Sequence, residues 1–287
     1  MAEVEALVLG ARGQLGTDLV RLLPDGAGIP REAVSVIDMS ALKSLFEARR
    51  PAVVFNCAAY NAVDRAEVET ELAYQVNSEG AWNVAIACRR SGARLIHFST
   101  NFVFDGELDR PYVESDRPAP GSAYARSKLE GEQRVLDALP TALVIRTAAL
   151  FGDSGSSVKG GSFPERIVSR ALLGETIRVV ADQKVNPTYT RDLAPAAISL
   201  AEAGLSGLVH VVAEGCCGWD ELARVALAEC GVTAQVLGIS SRDLASPAPR
   251  PLNGCLASTR TAALRPWREG VREWARRRAM ADPADRG

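Results

Sequence analysis

Histidine is almost missing from this chain. His97 and His210 stand alone, and the six cysteines, at 57, 88, 216, 217, 230 and 255, contain no CxxC pair. Zinc sites draw on both residue types at short ordered spacings, so no metal is expected. The cysteines also lack the framework of a disulfide-stapled secreted domain, and reduced thiols in a cytoplasmic protein are the expectation. Apolar runs long enough to cross a bilayer are lacking. The acidic start Met1-Ala2-Glu3-Val4-Glu5 has no basic-then-apolar character, so no signal peptide is read. Excess charge of one sign is lacking as well: 33 basic against 35 acidic residues leave a formal net charge of -2. No global field therefore draws the chain to nucleic acid or to a membrane. The arginines from Arg268 to Arg278 read as a solvated helix face. No internal repeat is visible.

What is present is an ordinary soluble composition, 47% hydrophobic and 24% charged over 287 residues, enough for one large domain or two tightly joined ones. Ala6-Leu7-Val8-Leu9 reads as a buried parallel strand broken by Gly10, and a helix runs from Gly16 to a stop at Pro24. Between them lies Gly10-Ala11-Arg12-Gly13-Gln14-Leu15-Gly16. Strand, glycine turn and helix in this order are the context of a dinucleotide fingerprint, here spaced GxxGxxG. Gly10 and Gly13 would admit a pyrophosphate to the backbone, Gly16 would let helix pack on strand, and the helix start would face the phosphates.

A second strand is expected over 33–37, ending in Asp38, where an acid accepts ribose hydroxyls and favours NAD. Arg12 in the glycine loop points the other way, toward the 2′-phosphate of NADP, and the two signals leave NADH and NADPH both open. A helix over 42–50 and a strand over 53–56 follow. The small residues Ala58 and Ala59 then suit a strand end against which a flat cofactor lies. One helix over 71–90 carries Asn77. A strand over 94–98 delivers Ser99-Thr100 at its C-terminal end, with His97 mid-strand as a core or supporting residue. The next helix begins at Tyr124 and runs to Pro140. It sets Tyr124 and Lys128 one turn apart on one face, and a strand over 141–145 follows. This βα alternation indicates a doubly wound parallel sheet with its strand ends on one rim.

Beyond Gly152 the pattern changes. A Ser- and Gly-rich stretch from Asp153 to Gly161 reads as a lid or crossing segment. Helices over 163–173, 192–202 and 219–230 and strands over 177–180 and 208–212 follow, and a proline-punctuated loop spans 246–256. The expected organisation is α/β: a dinucleotide-binding Rossmann domain over 1–150, receiving part of 183–212, and a smaller discontinuous lobe over 151–287.

Taken in order, these motifs resemble the dTDP-4-dehydrorhamnose reductase family of the extended short-chain dehydrogenase/reductase superfamily. The segments are the glycine loop, Asn56-Cys57-Ala58-Ala59-Tyr60-Asn61-Ala62-Val63-Asp64, Phe98 to Gly106, Tyr124 with Lys128, Arg146-Thr147, Leu150-Phe151-Gly152, Asp182-Gln183, Asn186-Pro187-Thr188, and Arg250-Pro251. The YxxxK pair marks the superfamily, and the Gly-Gln-Leu-Gly, Val-Phe-Asp-Gly and Asn-Pro-Thr segments narrow it. Three features depart from the family pattern: Asn101 where Asp commonly stands, Ala149 where a Trp often does, and a shortened region between Gly16 and Asp38.

The resemblance implies reduction of a 4-keto-6-deoxy sugar nucleotide, dTDP-linked, by NADPH or NADH. Thr100, Tyr124 and Lys128 would be catalytic. Tyr124 would be the proton donor, Lys128 its charge stabiliser and a ribose ligand, and Thr100 a donor to the carbonyl oxygen. Cofactor residues would be Gly10, Arg12, Gly13, Gln14, Leu15, Asp38, Ala58, Ala59, Tyr60, Asn77 and Lys128. Beside Thr100 and Tyr124, substrate residues would be Asn61, Asn101, Phe102, Phe104, Phe151, Asn186, Thr188 and Arg250. The protein would act as a monomer or homodimer. An epimerase of the same superfamily and a non-catalytic regulatory subunit of this fold are the alternatives. A dehydratase would place an Asp-Glu pair where Asn101-Phe102 follow Thr100.

Overall fold

The computed structural model describes residues 5–153, 161–244 and 246–280. Its first strand, β1 (Ala6–Leu9), is four apolar residues, all buried, as a strand covered on both faces requires. Gly10 ends it at a φ of 74°, and α1 (Gln14–Val20) turns Leu15 and Leu19 inward. Next come β2 (Gly28–Ile29), α2 (Met39–Arg49) and β3 (Val53–Asn56). They are followed by α3 (Thr70–Tyr74), a π-helical turn over Gln75–Glu79, α4 (Gly80–Ser91) and β4 (Arg94–Thr100). Then α5 (Ala123–Ala138), β5 (Leu143–Thr147), β6 (Leu150–Phe151), α6 (Phe163–Leu172) and β7 (Ile177–Val180) follow. The chain continues through β8 (Lys184–Val185), β9 (Thr188–Tyr189), α7 (Thr190–Glu202) and β10 (Gly207–His210). It ends with β11 (Ala213–Glu214), β12 (Cys217–Gly218), α8 (Trp219–Glu229), β13 (Val236–Ile239), β14 (Leu264–Pro266) and α9 (Trp267–Met280).

Six strands form one sheet in the order β10, β5, β4, β3, β1, β2, every neighbour parallel. From β1 the chain goes to β2 on one side and then to β3 on the other. The C-terminal ends of β1 and β3 therefore flank the crevice where an open α/β sheet takes its ligand. Alternate strand residues feed two cores. Leu7, Leu9, Val54, Leu95 and Val144 pack under α2, α4 and α5, while Val8, Phe55, Ile96 and Ile145 pack under α1 and α7. A further apolar cluster, from Phe151 through Ile167 and Leu222 to Trp267 and Trp274, holds α6, α8 and α9 together.

Four expectations are corrected. The second strand is not 33–37 but the two-residue β2, paired to Val8 and Leu9. A turn, with the Ala33 and Val34 amides donating to the Pro30 carbonyl at 3.0 and 3.2 Å, interrupts the apolar run that follows. Asp38 consequently ends no strand. It caps α2, accepting from the Ser40 and Ala41 amides at 3.0 Å each, a favoured role for Asp. The helix over 71–90 is broken by the π turn, which swings Asn77 and Ser78 into buried positions. The cysteines are not all free: Cys216 and Cys255 form a disulfide, with Cα atoms 6.1 Å apart. Most of the Ser- and Gly-rich stretch, 154–160, lies outside the described residues.

Candidate active site

The sheet's C-terminal rim is built first by the glycine loop. Gly10 donates its amide to the Ile29 carbonyl at 3.1 Å, and Gly13 donates to Gly10 at 3.0 Å. A Cβ on Gly10 would lie 2.8 Å from the Ala58 nitrogen, so the β1 turn rests directly on the backbone leaving β3. A Cβ on Gly16 would strike the Gly10 carbonyl oxygen. Gly13 precedes α1 with no side-chain cap, leaving first-turn amides for an anion. Gln14 holds a buried Oε1 with no partner among the described residues. This cradle fits a dinucleotide pyrophosphate. Leu15 is 5% exposed and packs with the core, and Arg12 is exposed, paired at 3.1 Å with Glu32.

Across the crevice, Ala58 donates its amide to Asn56 Oδ1 at 3.2 Å, and Ala59 and Asn61 are exposed. Asn77 acts as a clamp. Its Oδ1 accepts from the Tyr60 amide at 2.8 Å, while Nδ2 donates to the Tyr60 carbonyl at 3.0 Å and to Ser127 Oγ at 2.9 Å. Asn77 thus fastens the β3 loop to the helix turn that carries Lys128. The Tyr60 hydroxyl donates to Glu69.

The three chemistry-bearing side chains come from two elements. Thr100 ends β4, and its Oγ1 accepts the Phe102 amide at 3.2 Å. Ser122 caps α5 by accepting from the Ala125 amide at 3.2 Å, and Glu67 holds the Ala123 amide at 2.7 Å. These bonds fix the first turn, where Tyr124 sits against the edge of Phe102 with ring centroids 5.7 Å apart. Burial raises the Tyr124 phenol above its ordinary range, and the Thr100 hydroxyl, donating to it, opposes that rise. Lys128 is buried with Nζ donating to the Phe98 carbonyl at 2.7 Å. Burial pulls it down to about 8, against the pull of Glu132 and Cys57. His97 lies behind, its Nδ1 3.2 Å from Asn56 Nδ2. Burial and the charge of Lys128 hold it neutral.

Several candidate substrate residues have other work. Phe104 is 1% exposed and stacks on Tyr112 at 4.3 Å. Phe151 is likewise 1% exposed and stacks on Tyr189 at 5.2 Å. Both are core, Phe104 just after the turn that follows β4 and Phe151 at the end of β6. Asn186 uses its whole amide to join loops, donating to the Ala213 and Gly215 carbonyls and accepting from the Leu256 amide. Thr188 is buried between Asn186 and Ala213. Asn101, 1% exposed, donates to the Gly254 carbonyl at 2.8 Å and faces Thr100 Oγ1 with its Oδ1 at 3.4 Å. An Asp there could not donate to that carbonyl, which accounts for the departure at this position. Arg250 makes a two-pronged pair with Asp64 at 2.7 and 3.0 Å. Phe102 and Asn61 remain at the rim.

Two residues received no role from the sequence: Glu132, four positions beyond Lys128, and its partner Arg146 on β5, which entered only as part of the Arg146-Thr147 segment. The same four-residue spacing that joins Tyr124 to Lys128 could have found Glu132.

A parallel sheet with a glycine-cradled switch point and a buried Thr/Tyr/Lys group on its rim defines a Rossmann-type oxidoreductase. The RmlD substrate binding domain matches residues 4–280, and the chain belongs to that family. It is 40% identical over 296 residues to a dTDP-4-dehydrorhamnose reductase of Mycobacterium tuberculosis, covering 97% of this chain and 93% of the relative. It is 39% identical to a probable dTDP-4,6-dihydroxy-2-methyloxan-3-one 4-ketoreductase of Streptomyces antibioticus, covering 93% of each. Among solved structures, a Bacillus anthracis dTDP-4-dehydrorhamnose reductase in complex with NADP superposes with a TM-score of 0.90 at 31% identity, over 96% of this chain and 99% of that one.

Proposed function

We propose that this protein reduces the 4-keto group of a dTDP-linked 4-keto-6-deoxy sugar, with NADPH as the preferred reductant. The observation that carries the reading is the placement of Thr100 and Tyr124 together on the rim beside the β1/β3 crevice, with Lys128 buried one turn behind. Bound there, a reduced nicotinamide supplies hydride to the carbonyl carbon. The chain's own residues handle the oxygen. Thr100 donates to it and stabilises the negative charge that develops. Tyr124 gives up its proton, and Lys128 stabilises the phenolate left behind. Thr100, Tyr124 and Lys128 are thus the catalytic residues. Gly10, Gly13 and Gln14 would hold the pyrophosphate, and Ala58, Ala59 and Lys128 would line the cofactor's remaining length. Asn61 and Phe102 are the substrate contacts at the rim, and Arg250 would join them only by leaving Asp64.

Three observations support NADPH. Pro30 and the cationic Arg31 directly follow β2, and the first acid comes one position further, at Glu32. Asp38 is spent capping a helix. Arg12 is exposed beside a shallow cleft of about 390 Å³ that Arg21, Gly28 and Pro30 also line, and its pairing with exposed Glu32 is of the weak surface kind.

The test follows reduced-nicotinamide absorbance with a panel of 4-keto-6-deoxy sugar nucleotides, dTDP-4-dehydrorhamnose first, with NADPH and NADH in parallel. Stoichiometric oxidation, faster with NADPH, is the expected result. Substrate isomerisation without net oxidation would replace the reading by an epimerase. No turnover alongside a stable complex with a larger enzyme would replace it by a regulatory subunit.

A further inference from the structure

Tyr124, Lys128 and Glu132 recur every four residues along α5 and form one stripe, 9%, 2% and 3% exposed. The stripe lies over the polar ends of three strands, where Asn56, His97 and Arg146 extend the face that carries Val54, Leu95 and Val144. Arg146, 2% exposed, grips Glu132 from β5. Its Nε donates to the two carboxylate oxygens at 2.9 and 3.1 Å, and Nη2 donates at 2.6 Å. The guanidinium lies 5.1 Å over the Phe104 ring, which stops it from swinging away.

A buried ion pair of this kind is poor value as a stabiliser, because desolvating both charges costs about what their attraction returns. Its position suggests another role. The groups facing Lys128 are Glu132 from its own helix, Cys57 beyond β3 and His97 from β4. Burial keeps Cys57 a thiol and His97 neutral. Among these described groups Glu132 alone is an anion. Three hydrogen bonds from the arginine fix the position of this carboxylate beside Lys128.

We propose that Glu132, locked in place by Arg146, is a positioning residue that keeps the buried Lys128 in its cationic form and thereby sets the pH range of the site. The pair touches neither reacting atom and acts only through Lys128. This inference rests on the role given to Lys128 above. Burial alone would carry the lysine further down than it goes, and Glu132 is the largest influence opposing it. The Arg146 charge, bound edge-on to Glu132 through Nε and Nη2, does not figure among the influences on Lys128.

The chain has four lysines, at 43, 128, 159 and 184, so each side-chain ammonium can be followed by NMR in isotope-labelled, ligand-free, full-length protein. Lys128, assigned by its loss in Lys128→Met, should titrate near 8 in the natural protein. In Glu132→Gln its midpoint should fall by roughly one pH unit or more, a tenfold change in the ionisation equilibrium. Glu132→Asp, which keeps the charge, should recover most of that fall. Since Glu132→Gln leaves Arg146 buried without its partner, the double variant Glu132→Gln/Arg146→Met removes both charges and should shift the midpoint the same way. An unchanged midpoint in either folded variant would overturn the proposal and leave the pair a structural one. The readout needs no substrate, so it stands or falls separately from the assigned activity. If the activity assignment holds, the alkaline limb of the kcat/KM profile should move with the Lys128 midpoint while KM for NADPH stays put.

Discussion

Gly10→Ala offers a perturbation whose cost can be built up from two separate causes. Gly10 has a φ of 74°, and an L-residue held in the left-handed region costs about 1–2 kcal/mol. Its new Cβ would also lie 2.8 Å from the Ala58 nitrogen and 2.9 Å from the Ala58 Cα and Cys57 carbonyl carbon. These are backbone atoms that cannot rotate aside, and overpacking of this kind costs about 1–3 kcal/mol. The sum is about 2–5 kcal/mol. Gly92→Ala isolates the first cause: its φ is 75°, yet a Cβ there would meet nothing within 4 Å. It should lose only the left-handed penalty. At roughly 2–4 °C per kcal/mol for a domain of this size class, Gly92→Ala should melt a few degrees low and Gly10→Ala about 5–15 °C low. The contact also separates the glycine loop from the end of β3, the two walls of the crevice. NADPH affinity, followed by fluorescence titration, should drop by about tenfold or more in Gly10→Ala and hold in Gly92→Ala. Equal melting losses in the two variants, or an unweakened NADPH affinity in Gly10→Ala, would refute the claim that the turn and the strand end form one cradle.

Tyr124→Phe removes the proton donor and no hydrogen bond that holds the fold. The expected loss in kcat is about 10²–10⁴-fold with NADPH affinity and Tm nearly unchanged, and substantial retained turnover would reassign the donor. Lys128 predicts two opposite pH trends. Because it titrates near 8 in the fold against an ordinary 10.5, the unfolded chain holds the extra proton between those values. Its contribution to stability therefore improves as pH rises from about 8 to 10.5, while kcat/KM falls as the needed charge is lost. The difference in pH dependence of Tm between the natural protein and Lys128→Met reads the first trend, and a pH–rate profile reads the second. The Cys216–Cys255 disulfide closes a loop with a sequence separation of 39, worth about 4 kcal/mol in chain entropy. Dithiothreitol should therefore lower Tm, and alkylation of the denatured, unreduced protein should spare these two cysteines. Labelling of all six would contradict the bridge.

Much of the architecture was legible because its signals are local. An apolar tetrapeptide, a glycine turn and a helix identify the β1/α1 unit wherever it sits, and the four-residue spacing of Tyr124 and Lys128 needs only a helix to place both on one face. What escaped depends on partners distant in sequence. β2 is two residues long, defined by pairing with Val8 and Leu9 and too short to show a period. The run Val34-Ser35-Val36-Ile37 has strand-like composition, yet Val36 serves packing against Gly80 and offers its carbonyl to Asn83 at 3.1 Å. Phe104 and Phe151 could not be told from pocket-lining aromatics until Tyr112 and Tyr189 were found stacked on them. Arg250 is engaged by Asp64, far away in the chain. Cys216 and Cys255 meet only because the 246–256 loop folds back, where Gly254 accepts from Asn101 and Cys255 from the Tyr112 amide.

The most direct test of the central claim uses NADPH deuterated at the transferable position of the nicotinamide, with the sugar nucleotide that the panel identifies. The account predicts a product carrying one deuterium at the former carbonyl carbon, one cofactor oxidised per product formed, and loss of both in Tyr124→Phe. A product formed without deuterium or without net cofactor oxidation would contradict it.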